Sequence, residues 1–140
     1  MRVLALDHGS ARCGCAISDP TGTLVTPLAA VAKPDSPAGL KELKQLIDEK
    51  QPSELLVGLP LLESGKEGSQ AASARAFAGR VRAATGLPTR LYDERFTTRQ
   101  ARESIGLGAD SDEDSLAAAH LLEAYLTALA SGETFAGSES

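Results

Sequence analysis

Three acidic positions in this 140-residue chain are placed to do chemistry: Asp7, the pair Asp93-Glu94, and the cluster Asp110-Ser-Asp-Glu-Asp114. Asp7 ends a short apolar run, Val3-Leu-Ala-Leu6, and the turn residues Gly9 and Ser10 follow it. Asp93-Glu94 ends a second strand-like run that begins at Thr89, and Asp114 falls in the first turn of an apolar helical pattern. A carboxylate at the tip of a buried strand is held rigidly at the end of the sheet, where ligands bind in open α/β folds. Carboxylates gathered at one point repel one another strongly in a low dielectric, and bound cations relieve that repulsion. Hard oxygen ligands with no His or Cys among them suit Mg²⁺ or Mn²⁺. Two such ions about 4 Å apart can activate a water and stabilise the leaving oxygen of a phosphodiester.

Each position also has an ordinary use. Asp7 can simply open a turn before glycine. Glu94 can pair with Arg95 or Arg99. Asp114 suits the third position of a capping box begun by Ser111, where a carboxylate also favours the helix dipole. Asp112 and Glu113 are close alternatives to Asp114, and Glu63 in a long loop is a weaker one. Helical spacing favours Asp114, because it precedes Ala117 and Ala118 by three and four residues and so shares their face.

The elements that must position these groups are legible in order. Strands are expected over about 2–7, 12–19 and 24–32, with Pro20-Thr-Gly22 as the turn between the second and third, which makes an antiparallel meander. Ser36 caps a helix with Pro37 at its first position, running to about Lys50 with Leu40, Leu43, Leu46 and Ile47 on one side. Glu54–Gly58 is a buried strand, and a loop from Leu59 to Gly68 is long enough to be functional. A helix over about 69–85 carries Ala74, Phe77, Ala78, Val81 and Ala84 inward, and Gly86 closes it. Strand five is Thr89–Asp93. Thr97 and Gln100 fit a capping box for a helix to about Ile105, and a last helix runs to about Ala130. That last helix is apolar nearly all round (Leu116, Ala117, Ala118, Leu121, Leu122, Tyr125 and Leu129), with Ala117, Ala118, Leu121 and Tyr125 in its core stripe and His120 exposed. It packs in the core or at a subunit contact, so the sequence allows a homodimer. The resulting order, β-β-β-α-β-α-β-α-α, is a ribonuclease H-like α/β layout with a mixed five-stranded sheet. One domain is expected over 1–131, with a polar disordered tail at 132–140.

Composition limits the functions open to this chain. The apolar share of 42% and charged share of 24% are those of a globular domain. No apolar run approaches the length needed to span a bilayer, and the first strand starts directly after Met1, so the expectation is a cytoplasmic protein with no membrane partner. Cys13 and Cys15 lie two apart in a strand pattern and read as reduced core residues. The net charge of −5 is unevenly spread: residues 66–102 carry 8 basic and 3 acidic side chains, whereas 103–140 carry 8 acidic and no basic ones. A local basic surface next to an acidic cluster is compatible with nucleic acid. Arg75 and Arg82, two turns apart on one line of a helix, join Arg95 and Arg99 as expected phosphate contacts.

The chain resembles the YqgF (RuvX) family over about residues 1–130. The resemblance rests on Asp7-His-Gly-Ser10 with Arg12 and Gly14, and on Val57-Gly-Leu-Pro-Leu61. Gly65-Lys-Glu-Gly68 with Gln70, Asp93-Glu-Arg-Phe-Thr-Thr98 and Asp114-Ser-Leu-Ala-Ala118 complete it. It implies a ribonuclease H-like nuclease acting on pre-16S rRNA or, as a Holliday-junction-resolvase-like protein, on branched DNA. It also implies that Asp7, Glu94 and Asp114 are the metal-binding catalytic carboxylates and that Arg12 and Arg95 stand near the site. The chain departs from many members in the acidic loop Gly106–Glu113, where Lys and Arg are usual, and in Ser10, Cys13 and Cys15. A non-catalytic nucleic-acid or ribosome-associated module is the alternative of a different class. Asp-His-Gly-Ser also resembles the first phosphate loop of sugar kinases, but 140 residues cannot hold the two domains such enzymes need.

Overall fold

The computed structural model describes residues 1–94 and 113–132, apart from the side chains of Glu113 and Asp114. The described elements are β1 (Val3–His8), β2 (Arg12–Ser18), β3 (Val25–Ala32), α1 (Pro37–Lys50), β4 (Glu54–Leu59), α2 (Ser69–Thr85), β5 (Thr89–Asp93) and α3 (Glu113–Ala130). They match the expected elements closely. The expected helix over 97–105, and the tail from 133 on, lie outside the described residues.

Local chemistry sets the boundaries. Ser36 accepts the Gly39 N–H at 3.0 Å and Pro37 opens α1, as their sequence order requires. The helix ends at Lys50, two residues before Pro52, and its cap Gln51 takes a left-handed conformation. Gly86, with φ of 73°, closes α2.

The sheet order is β3-β2-β1-β4-β5. β1–β2 and β2–β3 pair antiparallel, while β1–β4 and β4–β5 pair parallel. The most apolar strands, β1 and β4, therefore lie at the centre, covered on both faces. Because side chains alternate along a strand, each strand feeds two cores. Leu4, Leu6, Leu55 and Val57 pack with Leu43 and Ile47 of α1 and Phe77 and Val81 of α2. Val3, Ala5, Leu56 and Tyr92 pack with Ala118, Leu122 and Tyr125 of α3. Full burial of side chains such as Leu4, Leu6 and Phe77 contributes roughly 1.5–3 kcal/mol each.

The packing stripe of α3 differs from the expected one. Ser115, Ala118, Ala119, Leu121, Leu122, Tyr125 and Ala128 are buried, whereas Ala117 is exposed and Leu129 is 37% exposed. In a helix with apolar residues on every side, hydropathy cannot choose the buried arc; the sheet chooses it. His120 is half-buried rather than exposed. Two polar ties fix the helix. The Cys15 N–H, at an irregularity in the β2–β3 pairing, donates to buried Ser115 Oγ at 3.3 Å. Tyr125 stacks edge-on against Tyr92 and donates to Glu54 at 3.3 Å, and burial next to Glu54 pushes its hydroxyl up to about 12.

Candidate active site

The C-terminal ends of the parallel strands β1, β4 and β5 fall on one edge of the sheet, which brings Asp7, Gly58 and Glu94 together. Asp7 follows Val3 and Ala5 in alternation and so projects on the α3 face. Glu94 stands just past β5, in alternation with Tyr92 on the same face. Tyr92 is the register partner of Gly58. Glu94 lies directly over Gly58: a Cβ built on that glycine would come within 2.2 Å of Glu94 Oε1. The missing side chain at 58 is what lets the Glu94 carboxyl reach Asp7.

The two carboxyl groups hydrogen-bond to each other. Burial, the bond to Asp7 and the nearby charges of Asp7 and Asp93 push Glu94 up to about 8. A carboxyl raised in this way beside a second, half-buried carboxylate favours a bound proton or a bound cation. A cavity of about 160 Å³ opens above them, walled by Ala117 and Leu121 of α3. Position 114 lies on the same helical line, three residues before Ala117 and seven before Leu121. Among the described residues, no group of three or more acidic, His or Cys side chains is gathered as a metal cage. The Asp114 side chain lies outside that description.

On the other side of β1, His8 packs its ring on Phe77, with centroids 4.7 Å apart. Its Nε2 meets both Asp35 carboxylate oxygens, at 2.9 and 3.0 Å. Asp35 also accepts Arg80 of α2. This cluster joins the tip of β1 to the turn before α1 and to α2. The sequence reading missed it, because residues 8, 35 and 80 meet only through the tertiary fold. A second cavity, about 300 Å³, lies between this cluster, Gly9-Ser10 and the start of α2, and it too reaches Asp7 and Glu94.

The expected arginines are spread more widely. Arg12 begins β2 and is exposed, close to the β1 tip because Cys13 pairs with His8. Arg75 is held by Glu67 through bonds of 2.6 and 2.8 Å, which tie the loop after β4 to α2. Arg82 is half-buried two turns along the same helix. Arg95 and Arg99 lie outside the described residues. Glu63, the weaker acidic alternative, is exposed in the loop after β4 and lines neither cavity. Cys13 and Cys15 are buried free thiols, and the bond from Cys15 together with burial pushes Cys13 well above the usual thiol range.

A five-stranded sheet ordered β3-β2-β1-β4-β5, with an acidic pair at the carboxyl edge of its parallel strands, defines a ribonuclease H-like protein. Thermus thermophilus RuvC in complex with Holliday junction substrate superposes with a TM-score of 0.70 at 14% identity, covering 96% of this chain and 98% of that one. The fowlpox virus Holliday junction resolvase gives 0.57 at 13% identity, covering 92% and 99%. These likenesses show the fold. The family model of RuvX, described as Holliday junction resolvase, matches residues 1–128, and the chain belongs to that family. A Moorella thermoacetica relative is 38% identical over 136 residues, covering 92% of this chain and 96% of its own. A Streptomyces avermitilis relative is 45% identical over 105 residues, covering 74% and 67%. Both carry the provisional name pre-16S rRNA nuclease. Among the described residues, no helix is long and apolar enough to cross a membrane.

Proposed function

We propose that this protein is a metal-dependent nuclease of the cytoplasm that hydrolyses phosphodiester bonds in structured nucleic acid, with 5′-end processing of pre-16S rRNA as its task. The observation that carries this is the half-buried, hydrogen-bonded Asp7–Glu94 pair at the carboxyl edge of a RuvX-family sheet. The names of the relatives support the choice of substrate.

Asp7, Glu94 and Asp114 would hold Mg²⁺ or Mn²⁺. The donor set fits such ions: hard oxygens, with the adjacent imidazole, His8, engaged by Asp35 on the opposite face of β1. When bound, a pair of such cations supplies an activated water and neutralises charge on the phosphodiester. The chain does the rest. Gly58 admits Glu94 to Asp7, Ser115 anchors the first turns of α3 to the sheet, and that register supports position 114 as the third ligand. Arg12 stands near the carboxylates and Arg95 follows Glu94 in sequence, and Arg75, Arg82 and Arg99 would add contacts to phosphates.

The test is side-by-side cleavage of a 5′-extended 16S precursor and a synthetic four-way DNA junction in Mn²⁺, with Asp7→Asn as control. Mn²⁺-dependent cutting of the precursor, lost in Asp7→Asn, is the expected result. Preferential cutting of the junction would move the substrate to branched DNA. Nucleic-acid binding with no cutting of either would leave a binding module and sink the nuclease reading.

A further inference from the structure

The cavity of about 300 Å³ beside the carboxylates is unlike a phosphate site. Beyond Asp7 and Glu94, its polar lining is His8, Ser10, Asp35, Ser69, Gln70 and Ser73. No Lys or Arg lines it among the described residues. Asp35 is already occupied by His8 and Arg80. The side chains of Ser10, Ser69, Gln70 and Ser73 make no hydrogen bond to any other described residue. Each can both donate and accept, as a sugar hydroxyl does. Among the described residues the one aromatic ring in its wall, His8, packs against Phe77 and is 6% exposed, so they offer no aromatic face for a base to stack on.

From this we infer that the pocket seats the ribose of a nucleotide next to the cleaved bond, reading its 2′-hydroxyl through Gln70 and Ser73, so that the site selects RNA over DNA. The inference rests on the nuclease reading, in which Asp7 and Glu94 mark where the phosphodiester lies. The sugars on either side of that phosphate are the nearest parts of the substrate to a cavity sharing those two residues. The carboxylates and neutral wall repel a second phosphate and accept a hydroxyl, and the 2′-hydroxyl is the group by which protein distinguishes RNA from DNA at a given position.

The experiment uses one RNA sequence in its all-ribose form and in forms carrying a single 2′-deoxynucleotide at each position flanking the cleaved bond. The wild type and the variants Gln70→Ala and Ser73→Ala are compared by kcat/KM in Mn²⁺ and by affinity in Ca²⁺. One deoxy position should cost the wild type roughly three- to tenfold, the worth of one water-accessible hydrogen bond. That cost should fall below about twofold in the variants, whose all-ribose rates should already be reduced by the same factor. Equal penalties in wild type and variants, no penalty at any position, or equally fast cutting of an all-DNA strand would overturn the inference. Absent cleavage with an affinity loss that depends on Gln70 and Ser73 would sink the nuclease reading and sustain the pocket. Absent cleavage with equal affinities would overturn both.

Discussion

Removing the charge of Asp7 should make the metal-free protein more stable at alkaline pH while destroying its response to metal. Glu94 is pushed from 4.5 up to about 8 in the folded chain by burial and by Asp7. A carboxyl whose folded pKa is raised contributes stability that is fully present below the unfolded value and is lost as pH rises through the folded one. Between about pH 4.5 and 8 the folded state holds more protons than the unfolded one, so stability falls across that window. At about 1.4 kcal/mol per pKa unit, this rise sets a ceiling near 5 kcal/mol. Glu94 is only half-buried and interacts directly with Asp7, and water screening brings the expected loss to about 1–3 kcal/mol. In Asp7→Asn the neutral amide removes the repulsion while the burial of Glu94 remains, so part of that loss should disappear. The assay is urea unfolding in EDTA at pH 5, 7 and 9, repeated in Mn²⁺. The wild type should lose stability towards pH 9 in EDTA and regain it in Mn²⁺, because a ligand bound only by the folded state stabilises it. Asp7→Asn should be flatter with pH and unresponsive to Mn²⁺. A pH-independent wild type, or Asp7→Asn still stabilised by Mn²⁺, would refute the coupled-carboxylate reasoning.

Other perturbations follow from the same geometry. Gly58→Ala should keep the fold, since its Cβ meets the far end of the Glu94 side chain, yet cut Mn²⁺-dependent cleavage at least tenfold; wild-type activity would mean Glu94 is not needed over residue 58. Asp114→Asn should eliminate cleavage, and any lost capping should cost roughly 0.5–1 kcal/mol. Asp110→Asn and Asp112→Asn should retain most activity, and the reverse pattern would show that the α3 register has been misread. Double alanine substitution among Arg75, Arg82, Arg95 and Arg99 should weaken binding across sequences and flatten the log–log salt dependence by about one unit per lost contact. An unchanged slope would assign these arginines to the surface, with Arg75 merely holding Glu67.

Much of this molecule follows from local sequence. Proline, serine and glycine punctuation bounds α1 and α2, and short apolar runs mark the central strands, because these signals act within a few residues of where they are written. Asp7 and Glu94 stood out for the same reason, each being an acid at the end of an apolar run. What the sequence could not supply is every relation across strands. Gly58 reads as an ordinary strand glycine until parallel pairing sets it beneath Glu94. His8, Asp35 and Arg80 are far apart in the chain and meet only where β1, the turn before α1 and the outer face of α2 converge. The buried arc of α3 was undecidable from hydropathy, since apolar residues surround the helix. Packing against the sheet, pinned by Ser115 and Tyr125, turned Ala117 out of the core and into the wall of the Asp7–Glu94 cavity. Periodicity reports which residues avoid water, and only the shape of the opposing sheet determines which of them line a site.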